Sequence, residues 1–212
     1  MLELIDIRIA TPERSLVHGL SAQVGAGEVL VVMGESGSGK SSLLAWLCGT
    51  LAPGLSASGR VRIDGRDIGA LPTAQRRIGI LFQDDLLFPH LSVLENLLFA
   101  LPAGAAAERV ARAQAALADA GLAEHGGRSP HTLSGGQRAR VSVLRALLAS
   151  PRALLLDEPF SRLDLPLRER FRAFVFERLR AQAIPAVLVT HDPHDVPPGA
   201  QVLTLTAEAG HV

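Results

Sequence analysis

The sequence predicts an α/β fold of the P-loop NTPase type. It has a mainly parallel core sheet, a small N-terminal antiparallel β-subdomain and an inserted α-helical subdomain. Three observations lead there. Residues 29–33 form a continuous apolar run rich in β-branched side chains, the pattern of a strand buried on both faces. That run feeds into Gly34, Glu35, Ser36, Gly37, Ser38, Gly39, Lys40 and Ser41, which fit GxxxxGKS, and residues 42–48 then read as a helix stopped at Gly49. Further short apolar runs alternate with helical patterns, as they do when helices cover both faces of a parallel sheet.

The elements follow in order. Residues 2–9 alternate (Leu2, Leu4, Ile5, Ile7, Ile9) as an antiparallel edge or half-buried strand would, and residues 16–24 continue that small sheet. A strand at 61–63 closes on the Asp64-Gly65 turn, and another at 78–82 ends at Gln83. From about 84 to 135 the texture is helical and reads as an inserted lobe, with an Ala/Arg helix at 105–120 stopped by Gly121. Residues 138–149 form a helix before Pro151; strands at 153–156 and 186–190 flank a helix over 166–183. Within that helix Arg168, Arg170, Arg172, Arg178 and Arg180 are interleaved with Glu169 and Glu177, a solvated face, while Phe171, Phe174, Val175 and Leu179 form the core face.

The chain of 212 residues suits one domain with an inserted lobe, and its formal net charge of zero implies no nucleic-acid partner. The single cysteine, Cys48, cannot form an internal disulfide; with no secretory signal this suits a reducing cytosol. No apolar stretch approaches the roughly 18–20 residues a bilayer crossing needs.

The chemistry-bearing residues sit where these elements end. Glycines let the loop amides converge on one anion, and the helix N-terminus adds positive potential. Lys40 then reaches the β- and γ-phosphates of a nucleotide, and the Ser41 hydroxyl ligates Mg²⁺. Asp157 and Glu158 follow a buried strand at its C-terminal end, where doubly wound sheets bind ligands. Asp157 suits a Mg²⁺ role and Glu158 the polarising of an attacking water; the alternative is a pair of solvated acids. Gln83 opens the lobe, where it bonds Mg²⁺ and water or is a surface glutamine. His191 reaches the γ-phosphate from the strand at 186–190 or is structural. Asp192, His194 and Asp195 read as solvated loop residues. Leu133, Ser134, Gly135, Gly136 and Gln137 form a second glycine-rich loop, shaped to meet a γ-phosphate from the opposite side, so that ATP is enclosed only by a pair of chains.

Together these residues resemble the ATP-binding-cassette (ABC) ATPases over nearly the whole chain, in the expected order. The resemblance implies ATP and Mg²⁺ as ligands. It places the phosphate loop at Gly34 to Ser42, the Q-loop at Gln83, the signature at Ser134, Gly135, Gly136 and Gln137, the catalytic glutamate at Glu158, the D-loop at Ser161 to Asp164 and the switch histidine at His191. Phe88-Pro89-His90-Leu91 resembles the importer branch, whose members serve thiamine, sulfate, polyamine or iron uptake. Residues 71–76 and 157–164 look especially like the ATPase of a YnjBCD-type importer. The implied assembly is a head-to-tail homodimer whose 84–98 surface cradles a helix of a membrane permease, with a solute-binding protein acting indirectly. The implied location is cytoplasmic, peripheral on the inner face of the cell membrane. The alternatives are an exporter or lipoprotein-release motor, or a DNA-repair or translation ATPase; no coiled-coil insertion, zinc motif or basic linker favours the last two.

Two departures from the family stand out. Ala10-Thr11-Pro12-Glu13 holds no aromatic where the family stacks one on adenine, so about 1–3 kcal/mol of stacking is absent and weaker, less base-selective binding is expected. The chain ends at Val212, so the regulatory C-terminal domain of maltose-type ATPases is not expected.

Overall fold

A computed structural model describes residues 1–206. Its elements run β1 (Leu2–Ala10), β2 (Ser15–Val24), β3 (Val29–Gly34), α1 (Lys40–Cys48), β4 (Ser56–Ile63), β5 (Arg66–Asp67), α2 (Thr73–Arg76), β6 (Ile78–Leu81), α3 (Val93–Ala100), α4 (Ala106–Asp119), α5 (Gly135–Leu148), β7 (Ala153–Asp157), α6 (Leu165–Ala181), β8 (Ala186–Thr190) and β9 (Gln201–Leu205). The chain divides into two compact units: Met1–Ile80, Arg152–Glu158 and Phe176 onward make the first, Leu81–Pro151 and Pro159–Val175 the second.

The first unit carries both sheets. One has the order β2-β1-β4-β5, the other β6-β7-β8-β3-β9. β1 pairs antiparallel with β2 on one side and β4 on the other, so the edge reading of residues 2–9 is corrected. Its alternation comes from one buried face, not from an open flank. In the second sheet, β3 pairs parallel with both β8 and β9, and β7 pairs parallel with β8. β7 and β8 are buried through almost every residue, which explains their unbroken apolar runs. β9 escaped the sequence reading because it is an edge strand with three of its five residues exposed.

A nine-residue helix such as α1 is too short to persist alone. Leu43, Leu44 and Leu47 bury it in a core shared with Leu2, Leu4 and Ile7 of β1 and Leu30 and Val32 of β3. Each such leucine stabilises the helix by about 1.5–3 kcal/mol, several times the propensity differences between residues. The register then sets the site. Met33 faces Thr190 and Asp157 faces Val189, so β3, β7 and β8 all end at one level and the residues after them share one sheet edge.

The second unit packs α3, α4 and α5 around Val93, Leu97, Leu117, Leu122, Val141 and Leu144. Ser92 caps α3 in a reciprocal box with Glu95, and these hydrogen bonds hold the Glu95 carboxyl below its ordinary pKa. Asn96, fully buried, fastens the preceding segment: its Nδ2 donates to the carbonyls of Phe88 (3.1 Å) and Leu91 (3.2 Å), and its Oδ1 accepts from Phe88 N (2.8 Å).

Candidate functional site

The phosphate loop fills the turn between β3 and α1, and α1 begins at Lys40, two residues ahead of the predicted start. Gly39 takes φ +96° at the helix N-cap, and a Cβ there would lie 2.9 Å from Leu16 Cβ; the backbone conformation and the space both require glycine. No side chain caps α1, which leaves its first amides directed at the cleft. The Lys40 side chain folds back over the loop, with Nζ donating to Gly34 O and Glu35 O, both at 2.7 Å. An ammonium has three donors, so one N–H stands beyond these two bonds. Ser38 Oγ is buried without a hydrogen-bond partner among the described residues. An uncapped helix start, a buried lysine and an orphaned hydroxyl at one loop fit a bound polyphosphate. Glu35, Ser36, Gly37, Gly39, Lys40, Ser41 and Ser42 line a cleft of about 800 Å³ with Thr11, Arg14, Leu16, Leu55, Glu158 and His191, within the size range of nucleotide-sized ligand sites.

Two acids enter from the end of β7. Glu158 N donates to Val189 O at 3.0 Å, extending the β7–β8 ladder by one bond. The chain then turns sharply, with Glu158 at φ +46°, and its Oε1 lies 3.2 Å from His191 Nδ1. Backbone strain at a non-glycine residue beside a polar cleft is the kind that functional geometry retains. Burial, and then the neighbouring Glu158 charge, push the Asp157 carboxyl above its ordinary pKa, while Lys40 opposes them. A carboxylate in that position is stabilised by a cation. Ser41 at the start of α1 and Asp157 at the end of β7 fit an oxygen-ligated divalent ion.

The loop after β8 corrects one expectation. Asp195 is 1 % exposed, not solvated, because the short 3₁₀ turn Pro193–Asp195 folds its carboxylate back to accept from Thr190 Oγ1 at 2.7 Å. Thr190 Oγ1 in turn accepts from Asp192 N at 3.1 Å. These bonds tie down both neighbours of His191. His194, by contrast, is exposed, with Nδ1 2.8 Å from Asp192 Oδ1.

The remaining predicted residues belong to the second unit. The glycine-rich segment is a helix start, not a free loop: α5 begins at Gly135, three residues ahead of the predicted helix. Ser134 is its N-cap; Ser134 Oγ accepts from Gln137 N (3.3 Å), while Gln137 Oε1 accepts from Ser134 N (2.9 Å). Gln137 Nε2 lies 3.0 Å from His125 Nε2, so the Gln137 side chain serves the helix tip. Ser134 and Gly135 are exposed at that tip and Gly136 is buried beneath it. Asp164 Oδ1 accepts from Leu167 N at 3.0 Å, capping the first turn of α6. Gln83 is exposed and lines a pocket of about 180 Å³ with Asp84, Asp85, Gly135, Arg138 and Arg162. In that pocket Arg138 Nε donates to Asp85 Oδ2 (2.8 Å), and Arg162 pairs with Asp84.

The first unit thus gathers Gly34 to Ser42, Asp157, Glu158 and His191 at one sheet edge, whereas Gln83, Ser134 to Gln137 and Asp164 lie in the second. Sequence reasoning missed Arg14, which lines the nucleotide-sized cleft and donates from Nη2 to Gly37 O at 3.3 Å. The signal available for it was Thr-x-x-Arg, a side-chain-clamped turn just upstream of β2.

A family model described as "ABC transporter" matches residues 17–161. The chain is 50 % identical over 208 residues to the "Uncharacterized ABC transporter ATP-binding protein YnjD" of Escherichia coli K12, covering 97 % of this chain and 95 % of that protein. It is 44 % identical over 173 residues to the "Thiamine import ATP-binding protein ThiQ" of Cereibacter sphaeroides, covering 80 % of this chain and 73 % of that protein. Among solved structures it superposes on the dimeric post-hydrolysis state of the ATP-binding cassette MJ0796 bound to ADP and Pi. The TM-score is 0.78 with 29 % sequence identity, over 99 % of this chain and 97 % of that one.

Proposed function

The chain belongs to the ABC transporter family of ATP-binding, ATP-hydrolysing subunits, and on that premise we propose that it is the motor of an importer, driving separate membrane permease subunits as a head-to-tail homodimer. The observation that carries this reading is the cleft in which Lys40, uncapped α1 and the Glu158–His191 pair converge. Lys40 and the loop amides hold the β- and γ-phosphates. Glu158 accepts a proton from the attacking water as its oxygen bonds to the γ-phosphorus and the bond from the γ-phosphorus to the β,γ-bridging oxygen breaks, the electron pair leaving with ADP; His191 positions Glu158 and bonds the γ-phosphate. Magnesium, held by Ser41 and Asp157, would supply charge neutralisation on the phosphates. The exposed tip formed by Ser134 and Gly135, with Gly136 beneath, meets the γ-phosphate held by the second copy, and Asp164 lies in the same dimer contact. The whole chain acts as one cassette, its helical unit receiving the permease through the 84–98 surface.

Import is supported by the relative named for thiamine import. Among the described residues no helix is long and apolar enough to cross a membrane; in this reading the permease holds the subunit on the inner face. The test is a Glu158→Gln variant saturated with Mg-ATP and followed by light scattering. It should run as a dimer that disperses when nucleotide is removed, while the parent hydrolyses ATP with a rate that rises steeply with protein concentration. A variant that stays monomeric, beside a parent whose specific rate is independent of concentration, would overturn the paired site.

A further inference from the structure

The phosphate end of the cleft is defined by Lys40, Ser41, Glu158 and His191; Thr11, Arg14, Leu16 and Leu55 make up much of the remaining lining. A nucleobase reaching them needs a flat partner, and none of the four is aromatic. Arg14 is the one with a planar π group. Its backbone is held by the Thr11 turn: Thr11 N donates to Arg14 O (2.9 Å), and Thr11 Oγ1 accepts from Glu13 N (3.2 Å) and Arg14 N (3.0 Å). Its guanidinium is held at one edge by the bond from Nη2 to Gly37 O (3.3 Å), at the apex of the phosphate loop. An edge-on bond leaves the faces of the plane for stacking, and guanidinium stacks on aromatic rings where ammonium does not.

We infer that Arg14 is the nucleobase platform of this site, its guanidinium plane standing where other sites use a ring. The inference rests on the nucleotide reading of the cleft. Stacking on a plane reads little of the base's hydrogen-bonding edge, so ATP and GTP both bind. The bond to Gly37 also links base binding to the shape of the phosphate loop.

The experiment measures binding of ATP, GTP and inorganic tripolyphosphate by calorimetry to the full chain, to Arg14→Ala, to Arg14→Lys and to Arg14→Trp. Arg14 is exposed on a surface turn, and circular dichroism checks that each variant folds. Arg14→Ala and Arg14→Lys should each lose about 5- to 150-fold toward ATP and GTP, the range of one base stack, while Arg14→Trp recovers it. Tripolyphosphate, which has no base, should bind all four within about twofold. Parallel loss of tripolyphosphate and ATP in Arg14→Ala, with Arg14→Lys equal to the parent, would make Arg14 a phosphate-directed charge and overturn the inference. Unchanged ATP affinity in Arg14→Ala would overturn it too. A parent chain that binds neither ATP nor tripolyphosphate would instead defeat the nucleotide reading, and the inference with it.

Discussion

Glu158 Oε1 and His191 Nδ1 stand 3.2 Å apart at the ends of two paired parallel strands. The relationship is built by the backbone. The ladder bond from Glu158 N to Val189 O fixes the height of the acid, and its left-handed φ turns the carboxyl across β8 toward the imidazole. Glu158 is the less exposed of the two at 27 %, against 61 % for His191.

Groups that act as one unit lose rate together only once. Glu158→Gln and His191→Ala should therefore each lower kcat by about 10²–10⁴-fold, and the double variant should fall hardly further. Single-turnover hydrolysis measured with the assembled transporter checks this. Multiplicative losses would mean the two side chains act independently.

Asp157 gives a pH dependence with a definite sign. Its folded pKa is raised by burial and by Glu158, above the ordinary 3.8 that the unfolded chain retains. Between those values the native state binds more protons than the unfolded one, so stability falls as pH rises. The favourable contribution of the protonated group is complete below 3.8 and is lost as pH passes through the raised value. Metal-free Asp157→Asn should accordingly melt above the parent at neutral pH, with the gap closing in acid. Thermal melts across pH in chelator check it, and a gap that widens on acidification would contradict it.

Gly136 predicts a steric coupling. A Cβ on it would lie 2.5 Å from Leu167 Cδ1 and 2.9 Å from Cδ2, so the first turn of α5 closes directly on α6. Gly136→Ala should cost no more than about 1 kcal/mol, because the half-buried Leu167 side chain can change rotamer and alanine's better helix propensity offsets part of that shift. Leu167→Ala in the same chain should recover part of that loss. Urea melts of the two single variants and the double variant measure the coupling, and additive losses would show that Leu167 is not the obstacle.

Much of the cleft was legible because each residue stands directly after an apolar run. Parallel strands bring all their C-terminal ends to one edge, so Gly34 at the end of β3, Glu158 after β7 and His191 after β8 could be placed together from the sequence. What stayed hidden depends on contacts between distant residues. Asp195 looks like any loop acid until Thr190 is found to cover it. The signature glycines looked like a loop because glycine discourages helix, yet the Ser134–Gln137 box and the packing on Leu167 override that propensity. β9 has too few buried residues to show a strand pattern.

Arg76 is the extreme case. It lies in the short helix α2, only 7 % exposed, and its guanidinium reaches some thirty residues back along the chain. Nη1 donates to Trp46 O (2.7 Å) and Leu47 O (2.9 Å), the last carbonyls of α1, while Nε donates to Leu71 O (2.9 Å) and Nη2 to Gly69 O (2.6 Å). The C-terminal end of α1, already closed by the backbone amides of Gly49 and Thr50 on Trp46 O and Ala45 O, thus carries a cation as well, favourably placed against the helix dipole. Burial pushes the Arg76 pKa down, but arginine's ordinary value is high enough that the charge persists. Arg76→Ala leaves several carbonyls without their donor and should destabilise the chain by roughly 2–4 kcal/mol. Arg76→Lys should recover little, since a compact ammonium cannot span four acceptors that a planar fork reaches together. Because α1 opens on Lys40 at its other end, both variants should also weaken ATP binding, with the loss tracking the melting temperature. Equal stability of the lysine variant and the parent would show that charge alone, and not the fork, holds the helix end.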